Sequence, residues 1–226
     1  MIDLSPATAI AIVRKNLDEI EPNGSVMYDD ENEDNRSLSD IIRKSLPEAI
    51  NAVNLAAPVV LLEGEEYGYD QFTQEEAESV SVSSDNVLSF SLAEDSAFLR
   101  LVAFQASDSP IVVTDVISEA SPEGRKQLNK YIRGTYDRPR LIIQQGRHTG
   151  PHFKYYSLKS HLDPDEAIAR LSFVKEQFFT NSNACYQISR RLRQNILDYL
   201  TAMVLEIYGD QKAQGWYTKA SAFPII

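Results

Sequence analysis

Three histidines lie close together along the chain and, with a nearby carboxylate, could imitate a metal site. They are His148, His152 and His161, and Asp163 follows the last of them. His148 and His152 would share a face only on a helix, and Gly150-Pro151 between them prevents one from forming. We interpret these residues as polar side chains of a hairpin loop, so the sequence predicts no metal site.

Cys185 is the single cysteine, which excludes an internal disulfide framework. A catalytic thiol needs a histidine or a cation beside it to lower its pKa, and no histidine lies near Cys185 in sequence. We interpret it as a buried structural residue. A hydrolase that uses His148, His152 or Cys185 stays open as an alternative, which single replacements of these residues would test.

An acidic run opens like a calcium-binding loop but does not continue as one. Asp30, Asn32 and Asp34 have the spacing of its first three ligands. Asn35 stands where the loop needs glycine, and Ile41 stands where it needs glutamate. Since the chain also carries no Gly-rich phosphate cradle and no Ser-centred nucleophile elbow, the sequence predicts no catalytic residue, no cofactor and no enzyme.

Charge is divided unevenly along the 226 residues, whose net charge is −11. Residues 1–80 hold 18 acids and 5 bases, whereas residues 81–226 hold 15 acids and 17 bases. The block 125–159 is basic and also aromatic, which would allow stacking on nucleic acid bases. Because the total charge opposes DNA binding, we interpret the block as a β face with aromatics inside and Lys and Arg outside. A nucleic-acid-binding module that uses 125–159 stays open as the alternative.

Two acidic stretches, 29–34 and 63–78, are predicted to be solvated surface segments because their like charges repel. A regulator that binds a host protein through them is a further open possibility. The most apolar stretch, 49–62, is too short and too polar to span a bilayer, and no signal peptide is visible. We therefore expect no membrane partner.

Helical periodicity dominates both ends of the chain. Ser5-Pro6 is a helix start, with serine as N-cap and proline in the first turn. A second helix is expected from Ser37 to just before Pro58, with a kink at Pro47. Apolar residues recur at helical spacing from Leu192 to Ile207 and predict a long C-terminal helix. We expect this helix to be interrupted near Gly209 and to continue through Ala220.

Between the helical parts, apolar residues recur at every second position, which indicates strands. The sequence predicts a half-buried strand at 88–92, a central strand at 98–106 and a further strand at 111–116. It also predicts a short helix from Ser121, a hairpin from 140–145 and 153–158, and a strand within 165–178. The fold class is α+β, with an antiparallel β region inserted between the helical parts.

The carboxyl end is apolar, which is unusual for a disordered tail. Such a terminus either packs on its own core or docks on a partner, and the sequence gives both outcomes equal weight. The residues concerned are Trp216, Tyr217, Phe223, Pro224, Ile225 and Ile226.

The order of elements resembles the small head-to-tail connector (adaptor or ring) proteins of tailed bacteriophages, especially podovirus-like phages of gut bacteria. The likeness rests on four stretches that span most of the chain. They are RSLSDIIRKSLPEAI (36–50), LAEDSAFLRL (92–101), YIRGT (131–135) and the final YGDQKA (208–213).

The resemblance implies a structural virion protein at the head–tail junction, assembled in the host cytoplasm. Such proteins form closed rings, commonly of twelve copies, below the portal, contact the portal and another tail or ring protein, and extend the DNA channel without sequence-specific binding. It also implies one connector domain over 1–226, with helical parts 5–58 and 186–215, a β-rich insertion 86–178 and a docking tail 216–226.

A ring needs one surface patch to meet a different patch on the next copy. The acidic and basic parts of this chain can supply such complementary surfaces. We expect Arg133, Arg138 and Arg140 to face acidic loops of a neighbour. The resemblance to connector proteins implies that the carboxyl end docks on the portal. The residues concerned are Trp216, Tyr217, Phe223, Ile225 and Ile226.

Overall fold

The computed structural model describes residues 1–20, 38–67, 79–93, 96–144, 150–180 and 184–224. It is 39% helical and 25% strand, so both element types contribute and the predicted α+β class is confirmed. The chain divides into two compact units, one made of 1–63 with 176–226 and the other of 64–175. In chain order, the helices and strands are β1 (Ile2–Leu4), α1 (Pro6–Ile20), α2 (Leu38–Ala56), β2 (Glu65–Tyr67), β3 (Ser79–Val82), β4 (Leu88–Ser91), β5 (Phe98–Ala106), β6 (Val116–Ser118), α3 (Pro122–Gln127), β7 (Leu141–Gln144), β8 (His152–Tyr155), β9 (Ile168–Lys175), β10 (Tyr186–Ile188), α4 (Arg193–Ile207) and α5 (Ala213–Ala220).

The first unit, 1–63 with 176–226, is the helical unit, and α1 begins where the sequence predicts. Ser5 Oγ accepts a hydrogen bond from Thr8 N at 3.1 Å, and Pro6 occupies the first helical position. The N-cap satisfies a backbone donor that the first turn would otherwise leave unpaired. The helix buries Ala9, Val13 and Leu17.

Helix α2 runs through Pro47 from Leu38 to Ala56. Proline inside a helix removes one backbone hydrogen bond and costs about 3 kcal/mol. The helix tolerates this because its buried face includes Leu46, Ile50 and Val53, which would leave the core if the helix ended at Pro47.

The C-terminal helical part is two helices, not one long helix. Helix α4 ends at Ile207, and Gly209 follows in the left-handed region with φ of +72°, which redirects the chain before α5. The helical part expected at 186–215 also begins differently. Residues 186–188 form β10, because Tyr186 and Ile188 point inward and pair with β1 in antiparallel register.

The second unit, 64–175, is the strand unit and holds two sheets. Its five-stranded sheet has the order β3-β4-β8-β7-β6, and its three-stranded sheet has the order β2-β9-β5. The predicted hairpin of β7 and β8 and the predicted strands β4 and β9 are confirmed. Strands β2 and β3 lie before residue 86, where the sequence expected the β region to begin.

Strand β5 was expected at the centre of a sheet, and that prediction is wrong. The central strand is β9, and β5 forms an edge whose Phe104 exchanges two 2.8 Å backbone hydrogen bonds with Val113. The strand predicted at 111–116 is limited to that bridge, and β6 begins only at Val116. β5 is apolar on both faces because Leu101, Phe104 and Ala106 belong to the aromatic core of the unit.

Aromatic stacking fixes the register of that core. Phe90 on β4 lies opposite Phe153 on β8, and their rings stack with centroids 4.9 Å apart. Phe104 stacks on Phe90 at 5.5 Å, and Tyr155 lies 5.2 Å from Phe104. A shift of one residue would turn these rings to the opposite face, so their packing sets the pairing of β4 with β8 and β7.

Candidate interaction surface

A basic loop of residues 128–140 joins α3 to β7 in the strand unit. Ser121 caps α3 by accepting a hydrogen bond from Gly124 N at 3.0 Å. A Cβ at Gly124 would lie 2.1 Å from the Ser118 carbonyl oxygen, so only glycine allows α3 to lie this close to the end of β6. Strand β6 pairs in parallel with β7, and α3 with the basic loop makes the crossover between them.

The basic loop is held in shape by its own hydrogen bonds. Asn129 accepts from Tyr131 N through its side chain and from Arg133 N through its backbone, both at 3.0 Å. Gln127 Oε1 accepts from Gly134 N at 2.6 Å, and Thr135 and Arg138 bond to each other across a tight turn. The surface that the loop presents is therefore formed before any partner binds.

Arg133, Arg138 and Arg140, the three basic residues predicted to form an interface, line one groove of about 620 Å³. Tyr131 and Ile132 lie on the same groove, which we call the arginine groove. Within the described part of the chain, no ion pair joins Arg138 or Arg140 to a carboxylate. Asp137 also lines the groove, which therefore combines three arginines and one carboxylate with apolar surface.

Large apolar side chains of the basic loop are exposed. Leu128, Tyr131 and Ile132 are 61%, 83% and 58% exposed. The sequence interpretation placed the aromatic residues of 125–159 inside the fold. That is correct for Phe153 and Tyr155, which lie on the inward face of β8. It is wrong for Tyr131, which lies in a loop, where no strand directs its side chain inward.

Cations lie against aromatic rings across this surface. The Arg133 guanidinium lies 5.6 Å from the Tyr156 ring centroid, and Lys159 Nζ lies 5.5 Å from that of Tyr136. Arg133 also donates a hydrogen bond to the Asp85 carbonyl oxygen at 3.2 Å. Partial burial raises the pKa of Tyr156, the nearby Glu119 raises it further, and Arg133 opposes the shift. These contacts anchor one side of the arginine groove to the turn between β3 and β4.

The histidines are not brought together as a site. His152 lies half-buried on β8, where burial first and Lys154 second lower its pKa, so it is neutral near pH 7. His161 is exposed in a loop, and His148 lies outside the described residues. Across the ranges that the structure describes, no three His, Cys, Asp or Glu side chains are grouped so that they could hold a metal ion.

Cys185 is exposed, which corrects the expectation of a buried structural cysteine. It directly precedes β10, where Tyr186 and Ile188 are buried and Gln187 is exposed. The alternation of a strand places Cys185 on the same outer face as Gln187.

The apolar carboxyl end packs on the helical unit through α5 and the residues up to Ala222. Tyr217 on α5 meets Tyr199 on α4 edge to face, with centroids 5.0 Å apart. Buried Asn195 donates from Nδ2 to the carbonyl oxygens of Ala220 at 2.8 Å and Ala222 at 3.2 Å, which holds the end of α5 against α4.

Charged and polar side chains complete the contact between α4 and α5. Asp198, only 3% exposed, accepts from Gln194 Nε2 at 2.8 Å and faces Lys219 Nζ at 3.4 Å. Lys219 Nζ also lies 4.2 Å from the centroid of the Trp216 ring. Tyr217 donates to Glu206, and burial first and this hydrogen bond second raise the tyrosine pKa above its usual value.

The predicted tail residues that the structure describes lie on α5 and just after its end. Trp216 and Tyr217 are half-buried on α5, and Phe223 is half-buried just after it. Ile225 and Ile226 lie outside the described residues. Of the two outcomes that the sequence left open, packing on the chain's own helices is observed for α5, and docking on a partner stays a prediction.

Comparison with known proteins adds no assignment to this picture. No protein-family model matches the chain, and no curated protein matches it in sequence. None of the helices in the described ranges is long and apolar enough to cross a bilayer.

Proposed function

We propose that the chain is a structural subunit that joins copies of itself through the arginine groove, as a head-to-tail connector ring of a tailed phage does. The observation that carries the proposal is the preformed groove of Arg133, Arg138 and Arg140 beside exposed Tyr131 and Ile132. Arginine beside exposed aromatic surface is typical of protein interfaces, where such residues contribute most of the binding energy.

The charge distribution supports a contact between unlike surfaces. The groove belongs to the part of the chain with a small excess of bases, whereas residues 1–80 hold 18 acids and 5 bases. A patch that meets a different patch on the next copy produces a ring when the rotation closes. Twelve copies below the portal would surround the DNA, and surplus acid on the inner surface would keep DNA from adhering during packaging and ejection.

The proposed portal contact uses the carboxyl end, from Trp216 to Ile226. Trp216, Tyr217 and Phe223 keep part of their surface accessible on α5 and just after it. Since α5 is already ordered against α4, such a contact would not have to order the helix on binding, which lowers its entropic cost. In this proposal the protein resides in the virion at the head–tail junction.

Charge reversal tests the groove. We expect R133E/R138E/R140E to abolish ring assembly, as measured by analytical ultracentrifugation and electron microscopy with and without portal protein. Arg133 also contacts Asp85 and Tyr156, so R138E/R140E provides a second variant that leaves those contacts intact.

R125E/K126E on exposed α3 makes the same charge change as R138E/R140E outside the groove and should assemble normally. Normal assembly of R138E/R140E at both low and high salt would contradict the proposal.

A nucleic-acid-binding module is the second candidate, favoured by the 83% exposure of Tyr131 beside Lys130 and the groove arginines. Exposed aromatic rings beside cations can stack on single-stranded bases. Fluorescence anisotropy with single-stranded and duplex DNA decides between the two. Binding that weakens steeply with salt and is lost in both Y131A and R138E/R140E would favour the module, and no binding at low salt would exclude it.

A further inference from the structure

We propose that the arginine groove binds residues 68–78 of a second copy of this chain. This inference rests on the proposed function, because it names the occupant of the groove through which copies would join. The occupant would place carboxylates on Arg138 and Arg140 and aromatic rings on Tyr131 and Ile132.

The groove sets two chemical requirements for its occupant. Arginine guanidinium groups form their strongest hydrogen bonds with carboxylates, often two at a time, so the occupant should be acidic. Tyr131 and Ile132 are 83% and 58% exposed on the same groove, so the occupant should also cover apolar surface. A run of acids alone would meet only the first requirement.

Residues 68–78 meet both requirements. Their sequence, GYDQFTQEEAE, carries Asp70, Glu75, Glu76 and Glu78 with no base, and it places Tyr69 and Phe72 among these acids. The other acidic stretch, 29–34, is DDENED and holds no apolar residue. Charge complementarity allows either stretch, and the apolar side of the groove favours 68–78.

The arginine groove lies at one end of the five-stranded sheet. At one end of the sheet Val82, Leu88, Tyr155 and Leu141 follow one another across four strands. The groove lies at this end, because Arg140 directly precedes Leu141 and Arg133 reaches the Asp85 carbonyl oxygen in the turn between β3 and β4.

Ser79, the residue that follows the segment in sequence, lies at the opposite end of the sheet. It begins the row that continues through Ser91, His152 and Gln144. The two ends are about 10 Å apart along the four-residue strands. The groove and the segment are unlike patches, so their contact would be head-to-tail, with each copy offering its groove to one neighbour and its segment to the other.

Complementation between two defective chains tests the proposal. R138E/R140E removes the groove and keeps the segment, and D70K/E75K/E76K reverses the segment and keeps the groove. Each variant alone should remain monomeric in analytical ultracentrifugation. An equimolar mixture should associate, because the intact groove of one chain can bind the intact segment of the other and the reversed groove and reversed segment are again opposite in charge.

Matched controls separate this occupant from general charge effects. D29K/D30K/E31K makes the same charge change in the other acidic stretch and should assemble as the wild type does. A synthetic peptide of residues 68–78 should bind the full chain and inhibit assembly. Its affinity should fall about tenfold or more for R138E/R140E, and also for a peptide with Tyr69→Ala and Phe72→Ala.

The outcomes distinguish this inference from the proposed function. If R138E/R140E is monomeric while D70K/E75K/E76K assembles normally, the groove joins copies but 68–78 is not its occupant, which overturns the inference alone. If both variants are monomeric and their mixture stays monomeric, the segment does not act between chains and the inference is wrong. If both variants assemble normally, the proposed function fails as well.

Discussion

The basic loop 128–140 and the α5 segment 213–222 are built from similar residues but present them differently. Each combines aromatic rings with cations, as in Tyr131 beside Lys130 and Trp216 beside Lys219. Helix α4 packs against α5, where Trp216 and Tyr217 are half-buried, whereas Tyr131 stays 83% exposed. Composition alone therefore does not identify an interface, and what lies opposite each ring determines its role.

The two regions also differ in what holds them. The basic loop is fixed by hydrogen bonds within itself and from Gln127 at the end of α3, so its shape does not depend on burying its apolar side chains. The end of α5 is fixed by a side chain from another helix, Asn195, and by the buried carboxylate of Asp198. We therefore expect substitutions in α4 and α5 to change folding stability, and substitutions in the basic loop to change association.

The largest effect on stability is expected for Asn195→Ala. Its Nδ2 donates to the carbonyl oxygens of Ala220 and Ala222, and its loss leaves those acceptors without this partner. We expect the free energy of unfolding to fall by about 2 kcal/mol. Urea titration followed by circular dichroism measures the change, and the single tryptophan, Trp216, reports on α5 itself.

The control for Asn195→Ala is Thr218→Ala, which changes an exposed position on α5 and should keep a nearly wild-type midpoint. A wild-type midpoint for Asn195→Ala would show that the Asn195 hydrogen bonds do not hold α5, and the contrast with the basic loop would then lose its main support.

A smaller effect is expected for Lys219→Met. This change keeps an aliphatic chain against Trp216 and removes the cation that faces buried Asp198 at 3.4 Å. Because Lys219 is 56% exposed, solvent screens the pair, and we expect a loss of about 1 kcal/mol in the free energy of unfolding. Lys44→Met, at an exposed position on α2, is the matched control in the same urea titration, and an equal loss in both variants would contradict a specific role for the ion pair.

High pH should loosen α5. Burial and the hydrogen bond to Glu206 raise the pKa of Tyr217 in the folded state above the value of about 10 that it has when unfolded. The folded state therefore holds this proton more tightly, so its stabilising effect is complete below pH 10 and is lost as pH rises above 10.

Trp216 fluorescence during urea titrations at a series of alkaline pH values measures the loss. Tyr217→Phe cannot ionise at this position and should show a weaker alkaline decline than the wild type. Equal declines for the two proteins would rule out Tyr217 as the group responsible.

Much of the secondary structure could be predicted from local sequence signals. Ser5-Pro6 marks the start of α1, Gly209 marks the break between α4 and α5, and alternation reveals β4 and the hairpin of β7 and β8. These signals act within a few residues, so the sequence displays them directly.

The features that were missed depend on residues far apart in sequence. Strand β5 is apolar on both faces, as a central strand is, yet it lies at an edge because the aromatic core and a bridge to Val113 cover it. The exposure of Cys185 follows from the pairing of β10 with β1, more than 180 residues away. Tyr186, Gln187 and Ile188 do alternate in polarity, and that short pattern could have indicated the strand.

The candidate site was predicted in part. Charge counting led to Arg133, Arg138 and Arg140, because six bases stand against one acid within 125–140. The exposure of Leu128, Tyr131 and Ile132 was missed, because polarity patterns give no reason for apolar side chains in a loop to face solvent. Residues 131–140 line one groove because the chain turns at 135–138. The sequence alone does not predict that turn.

The smallest effect on stability, and the sharpest contrast, is expected for Tyr131→Ser with Ile132→Ser. Both side chains are more than half exposed, so their loss should change the free energy of unfolding by less than about 0.5 kcal/mol. Self-association measured by analytical ultracentrifugation should nevertheless weaken by about tenfold or more, because the apolar side of the groove is removed while its arginines remain. Val112→Ser and Leu55→Ser, which change exposed apolar residues outside the loop, should leave association unchanged. If the loop variant loses stability but associates normally, the roles assigned to the basic loop and to α5 are reversed, and the aromatic residues of the loop serve the fold of their own chain.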